Sequence, residues 1–155
     1  VTTIHTIGIA GIRVAAAPDR VRTVLGSCIG IALYDRAAKV GGMAHVILPC
    51  SQEGSGERGK FADTAVDDLL TQLLAAGGIR GRVQAKIAGG ASMFGKPVEN
   101  GLGDRNAKAV RDRLEHHAIP LVAEDCGGQK GRKITLDPTG GEVEVQIIGQ
   151  PARVI

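Results

Sequence analysis

The hydrophobic period of this chain changes at residue 61, and that change narrows the folds open to it. Up to residue 48 the apolar residues come in runs of strand length: "TTIHTIGI", "GIRVAAA", "VRTVL", "CIGIALYD" and "AKVGGMAHVIL", with a turn at Pro18-Asp19. The last two runs predict a hairpin with Asp35 to Ala38 as its turn. In "FADTAVDDLLTQLLAAGG" the apolar positions are instead 62, 65, 66, 69, 70, 73 and 74, one face of a helix that Gly77-Gly78 ends. "RVQAKIAGGA" then reads as a buried strand entering a glycine turn. "GDRNAKAVRDRLEHH" reads as a second helix with Ala107, Val110 and Leu114 inward. "IPLVAED" is a further strand, "CGGQKGR" a turn, and "KITLD" and "EVEVQIIG" a closing hairpin across "PTGG". Roughly nine strands and two helices predict an α/β chain of the α+β kind, with sheets covered on one side by the helix pair. No linker or repeat divides residues 1–155, so one domain is expected.

Such a core has little aromatic bulk to use. The chain holds one Tyr, two Phe and no Trp against 23 glycines, so Val, Ile, Leu and Ala must fill the interior around many tight turns. A formal charge of +3, scattered basic residues and no aromatic platform argue against nucleic-acid binding. No apolar run has the length of a membrane span, and "VTTIHTIGIAGIRV" lacks the basic head and unbroken apolar core of a signal peptide. Three cysteines, Cys28, Cys50 and Cys126, cannot all pair within one chain. They read as free thiols of a cytoplasmic protein.

Their spacing has no C-x-x-C pair, and His116 and His117 fall on different faces of their helix, which argues against a metal centre. Those two histidines suit the negative end of that helix. "AGGAS" and "CGGQKGR" are glycine-rich, but neither has the spacing of a phosphate loop. Nucleophilic catalysis is the chemistry best served. Cys28 opens one strand of the expected hairpin and His45 lies near the end of its partner. Pairing about a turn near residues 36 and 37 makes them cross-strand neighbours. A thiol becomes a nucleophile when an adjacent imidazole takes its proton. Thr23 is a candidate to accept the second imidazole N–H, although spacing alone also fits an ordinary strand threonine. Gly26-Ser27 is either a plain turn or a sharp bend that exposes Sγ and aims backbone N–H groups at an oxyanion. The polar loop 49–60 and the pair Met93-Phe94 are candidates for a substrate rim, with a core plug as the other reading of Met93-Phe94.

The blocks "LGSC" at 25–28, "GGMAHVILP" at 41–49, "GKFADTAV" at 59–66, "AKIAGGASMF" at 85–94, "GDRNAKAV" at 103–110 and "AEDCGG" at 123–128 resemble, in order, those of the CheD family of chemoreceptor glutamine deamidases. The resemblance implies a three-layer sandwich of mixed β-sheets with two main helices on one side, similar to the deamidase domain of cytotoxic necrotising factor toxins. It also implies a cysteine hydrolase that converts glutamine side chains of methyl-accepting chemotaxis receptors to glutamate without a cofactor. Some members are also credited with hydrolysing receptor glutamyl methyl esters. Cys28 matches the family nucleophile and His45 its base. Thr23 is the nearest match to the third member, and Ser27 with Gly26 would support the oxyanion. The implied substrate is the cytoplasmic helices of a receptor, and a CheC-type phosphatase is an implied partner. Two residues depart from the family pattern: Cys126 replaces the more usual Thr or Val, and Gln129 stands where Asn is usual. If their turn lines the site, substrate preference changes there. Two rival readings are a non-catalytic module that regulates a CheC-type phosphatase and a cysteine peptidase using the same Cys–His pair.

Overall fold

Strand-forming runs interrupted by glycine and Asx turns, together with two amphipathic helices, build three layers. A computed structural model describes residues 1–51, 56–93 and 101–155. Among the described residues there are ten strands: β1 (Ile4–Thr6), β2 (Ile12–Ala16), β3 (Arg20–Leu25), β4 (Ile29–Asp35), β5 (Val40–Val46), β6 (Gln84–Gly89), β7 (Leu121–Cys126), β8 (Arg132–Asp137), β9 (Glu142–Ile147) and β10 (Arg153–Val154). The helices are α1 (Ala62–Ala75) and α2 (Leu102–His116). One sheet has the order β1-β3-β8-β9-β10 and the other β2-β5-β4-β6-β7. Both are mixed, because β1 runs parallel to β3 and β6 parallel to β7.

The seven residues of β4 are all buried, since the strand is covered on both faces. Ile29, Ile31 and Leu33 pack with Val66, Leu69, Leu73, Val110 and Leu114 of the helices. The opposite face meets the first sheet, where Ala32, Tyr34, Met43 and Ala88 pack on Val21, Leu25, Ile134 and Leu136. These aliphatic cores are the ones the composition demands, and the helix pair lies on one side only, as the sequence predicts.

Local signals explain the boundaries. α1 ends in a glycine motif: the Gly77 N–H donates to the Leu74 carbonyl (3.2 Å) and the Gly78 N–H to that of Leu73 (3.0 Å). Gly77 has φ +107°, a region glycine enters without cost. The hairpin turn lies slightly beyond its predicted place. Asp35 Oδ1 accepts the N–H groups of Ala37 (3.0 Å) and Ala38 (3.1 Å), and Lys39 takes a positive φ. The loop therefore spans residues 36–39, and the register becomes Gly30 opposite His45. The first run yields only β1, because residues 7–11 leave the strand and cross to β5. β10 was not expected; two residues are too few to show a period. His117 does not simply cap α2. Its Nε2 lies 2.6 Å from Asp67 of α1, which also accepts from Arg113 Nε (2.8 Å) and Nη2 (2.6 Å).

Asp35 ties the hairpin to the segment after α1, accepting the Ile79 N–H (2.8 Å) and the Arg82 guanidinium (2.9 Å). Burial alone would raise its carboxyl, but the N–H of Ile79, the Arg82 guanidinium and the Ala38 N–H outweigh it and hold the pKa below its ordinary 3.8. Its stabilising contribution is therefore complete above that ordinary value and is lost as pH falls through the lower folded one. Asp35→Ala should cost about 3 kcal/mol in urea unfolding at neutral pH, because three backbone donors lose their acceptor. The difference between variant and wild type should shrink below pH 3.8.

Candidate active site

β3 and β4 belong to different sheets, so the residues joining them, Gly26, Ser27 and Cys28, must cross between layers. A second glycine turn holds that crossing. The Ala91 N–H donates to the Gly26 carbonyl (3.0 Å) and the Gly90 N–H to that of Cys28 (2.8 Å). Gly89 and Gly90 have φ +113° and +66°, and a Cβ on Gly89 would lie 2.2 Å from the Cys28 oxygen. Only glycine permits so close an approach. The turn after β7 fixes the glycine turn in its place. The Gly127 N–H donates to Gly89 O (2.9 Å) and the Ser92 N–H to Gly128 O (2.9 Å). Arg132, buried, donates through Nη1 to the Asp125 carboxylate and carbonyl (both 2.6 Å) and through Nη2 to the Gly127 carbonyl. Asp125 also receives Arg153.

His45 stands opposite Gly30, and Cys28 lies two residues before Gly30 on the face that meets the first sheet. The two side chains are thus diagonal cross-strand neighbours, shifted from the direct opposition predicted by the two-residue change of register. The first sheet supplies Thr23, which is 0% exposed and whose Oγ1 lies 2.8 Å from His45 Nδ1 and 2.9 Å from the Ile7 carbonyl. Among the described residues the buried Nε2 atom of His45 has no hydrogen-bond partner, Cys28 included. Burial raises the Cys28 thiol pKa, opposed by its own backbone N–H, and burial lowers that of His45. Both shifts favour a neutral thiol beside a neutral imidazole. Among the described residues no backbone carbonyl accepts the N–H of Ser27 or Cys28.

The remaining predicted residues divide. Met93 is 43% exposed and covers Gly26, lining a groove of about 510 Å³ with Val24, Gly131, Lys133 and Ile148. Phe94 lies outside the described residues. Gln129 is exposed on the turn after β7, in a separate recess with Lys130 and Gln150. Cys126 pairs with Gly89 across β7 and β6 but packs toward the helices, and burial pushes its thiol up to about 11. It does not share the Cys28 side of the sheet. The three cysteines are free thiols, and among the described residues no three His, Cys, Asp or Glu side chains gather as metal ligands. No described helix is long and apolar enough to cross a membrane.

Sequence reasoning missed two supports. Asn106 of α2 is 0% exposed and donates Nδ2–H to the carbonyl of Ile47, two residues after His45. The Ile7 carbonyl meets Thr23. Neither contact has a local signature.

The fold is a three-layer sandwich of two mixed sheets and a helix pair, and Cys28, His45 and Thr23 lie where the two sheets meet. The family model described as CheD chemotactic sensory transduction matches residues 47–147. Full-length relatives extend the likeness over the site itself. A Moorella thermoacetica protein named "probable chemoreceptor glutamine deamidase CheD" is 47% identical, covering 96% of this chain and 93% of its own. Proteins of the same name from Clostridium novyi and Desulforamulus reducens are 44% and 41% identical, each over 96% of this chain and over 96% and 93% of their own. The chain belongs to the CheD family. In fold alone it is also similar to the crystal structure of the DUF152 protein NMB0706 from Neisseria meningitidis. That likeness has a TM-score of 0.51 at 10% identity and covers 81% of this chain and 64% of the other.

Gly89→Ala tests the clamp on Cys28. The added Cβ meets the Cys28 carbonyl and the positive φ adds strain, so urea unfolding should show a loss of roughly 2–4 kcal/mol. Gly81→Ala, whose Cβ meets nothing within 4 Å, should unfold like the wild type.

Proposed function

We propose that this chain, as one domain, hydrolyses the carboxamide of glutamine side chains on chemoreceptor cytoplasmic helices, with Cys28 as nucleophile and His45 as base and acid. The observation that carries this reading is the buried Nε2 of His45, without a hydrogen-bond partner among the described residues and on the sheet face that also carries Cys28, with Nδ1 engaged by Thr23. The names of the full-length relatives supply the substrate class.

The geometry supports a general-base route. Both shifts disfavour the charged pair, so the Cys28 proton passes to His45 Nε2 as Sγ attacks the carboxamide carbon, instead of residing there beforehand. The carbonyl oxygen becomes an oxyanion, which the N–H groups of Cys28 and Ser27 would stabilise, neither of them bonded to a backbone carbonyl among the described residues. The imidazolium then protonates the departing nitrogen, ammonia leaves and a thioester remains. Water, deprotonated by the same imidazole, adds to the thioester and releases glutamate and the Cys28 thiol. Gly26 lets the crossing pass beneath Met93, which with the groove beside it forms a rim for an extended substrate surface. Gln129, in a recess of its own, has at most a peripheral part in that rim. A glutamyl methyl ester would follow the same steps with methanol leaving. No step calls for a cofactor.

Cys28→Ala should abolish the conversion of receptor glutamine to glutamate, followed by mass spectrometry of receptor peptides. His45→Ala should reduce it by about 100- to 10,000-fold. Unchanged conversion in Cys28→Ala would leave a binding module, and cleaved receptor backbone would mark a peptidase. Because burial holds His45 below its ordinary 6.5, the acid limb of kcat/KM against pH should fall below pH 6.5.

A further inference from the structure

We infer that the main-chain strap formed by residues 7–11 fixes the tautomer of His45, which makes the Ile7 carbonyl a positioning group for the reaction. The inference rests on the reading of His45 as the base for Cys28.

It starts from proton counting at Thr23. The buried hydroxyl carries one proton and has two polar neighbours, the Ile7 carbonyl at 2.9 Å and His45 Nδ1 at 2.8 Å. A carbonyl oxygen can only accept. When the hydroxyl donates to Ile7, its remaining lone pair can only receive, so Nδ1 must carry the imidazole proton and Nε2 keeps its lone pair. The reverse arrangement would leave the Ile7 carbonyl without a donor and place the proton on Nε2, the atom that has to accept from Cys28. The hydrogen bond at one ring nitrogen thus decides what the other can do. Thr23 alone could serve either tautomer. The carbonyl breaks that symmetry.

Backbone bonds to both neighbouring strands hold the strap in position. The Ile7 N–H donates to the Arg22 carbonyl (2.9 Å), next to Thr23. At the other end the Ala10 N–H donates to the His45 carbonyl (2.9 Å), and the His45 N–H donates to that of Gly11 (3.2 Å). Between them the Gly11 N–H closes a turn onto Gly8 O (2.9 Å), and Ala10 takes φ +66°. Gly59 backs the strap so closely that a Cβ there would lie 2.1 Å from the Ala10 oxygen. The same few residues therefore locate the His45 backbone and the acceptor that orients Thr23.

The glycines of the strap provide a test. A Cβ on Gly11 would lie 2.8 Å from Gly8 O and 3.0 Å from Ile7 Cβ, so Gly11→Ala must push back the Gly8 carbonyl and press on Ile7, which disturbs the strap beside the Ile7 carbonyl. A Cβ on Gly8 meets nothing within 4 Å. Imidazole 15N NMR of the full chain should show His45 with Nδ1 protonated and Nε2 bare in the wild type, in Gly8→Ala and in Thr23→Ser. Thr23→Val and Gly11→Ala should show mixed tautomers. Deamidation by Gly11→Ala should have kcat reduced roughly tenfold or more with KM little changed, since a wrong tautomer blocks the base and not binding. A wild-type ring protonated on Nε2 would overturn the inference, as would an unaltered tautomer in Thr23→Val. An equal change in Gly8→Ala and Gly11→Ala would remove the strap's specific role. Should Gly11→Ala fail to fold, the Thr23→Val and Thr23→Ser pair decides the matter. The NMR readout needs no turnover, so full activity in Cys28→Ala would sink the hydrolase reading while leaving the tautomer assignment intact.

Discussion

At Gly30 the second sheet presents bare backbone to the side chains of the first, and the site depends on that contact. A Cβ on Gly30 would lie 2.6 Å from Ile134 Cδ1 and 2.9 Å from Leu25 Cδ1, so aliphatic groups of the first sheet rest on the backbone of β4. Gly30 is also the residue opposite His45. With the sheets this close, a short side chain such as Thr23 spans the gap and reaches the imidazole. A bulkier residue at position 30 would separate the layers and leave the hydroxyl and the ring out of reach. Elsewhere between the sheets larger side chains keep them apart: Tyr34 packs there, and Lys86 reaches the carbonyls of Gly141 and Ile155. Small residues at one place and large ones at another set a separation that suits the chemistry.

The site is held largely by main-chain atoms. Cys28 is fixed through its carbonyl by Gly90, the glycine turn through its carbonyl by Gly127, and His45 through both its N–H and its C=O by the strap. The buried Arg132–Asp125 pair joins this lattice as a connector between carbonyls. Peptide groups lose little freedom when they bond, since the fold has already fixed them, so the positions of thiol and ring are set with small tolerance. The high glycine content follows from this, because backbones must approach one another where side chains would intervene.

Much of this was legible in the chain, and the failures have physical causes. The helix of residues 62–75 shows its apolar face and its glycine stop in sequence, because both are local. The hairpin showed its strands but placed the register two residues early. The Asp35 carboxylate holds the turn one residue later, which periodicity does not register. Cys28 and His45 were recoverable because one hairpin carries both. Thr23 was left open because its contact crosses between sheets, and no local pattern reports how two sheets stack. Ile7 contributes through its carbonyl, which every residue has, so its identity carries no signal. The sequence leaves open whether the turn of Cys126 lines the site, and strand alternation turns that side chain toward the helices.

A half-buried thiol whose pKa is raised has a consequence for the durability of the protein. Peroxide and disulfides react with thiolate, and the small thiolate fraction of Cys28 at neutral pH makes it a poor target for sulfenic acid formation or mixed disulfides. Cys126, pushed up to about 11, is protected in the same way. In the proposed reaction the thiol becomes nucleophilic as its proton passes to the imidazole during attack. A thiol kept protonated in this way meets oxidants more slowly than a permanently ionised cysteine would.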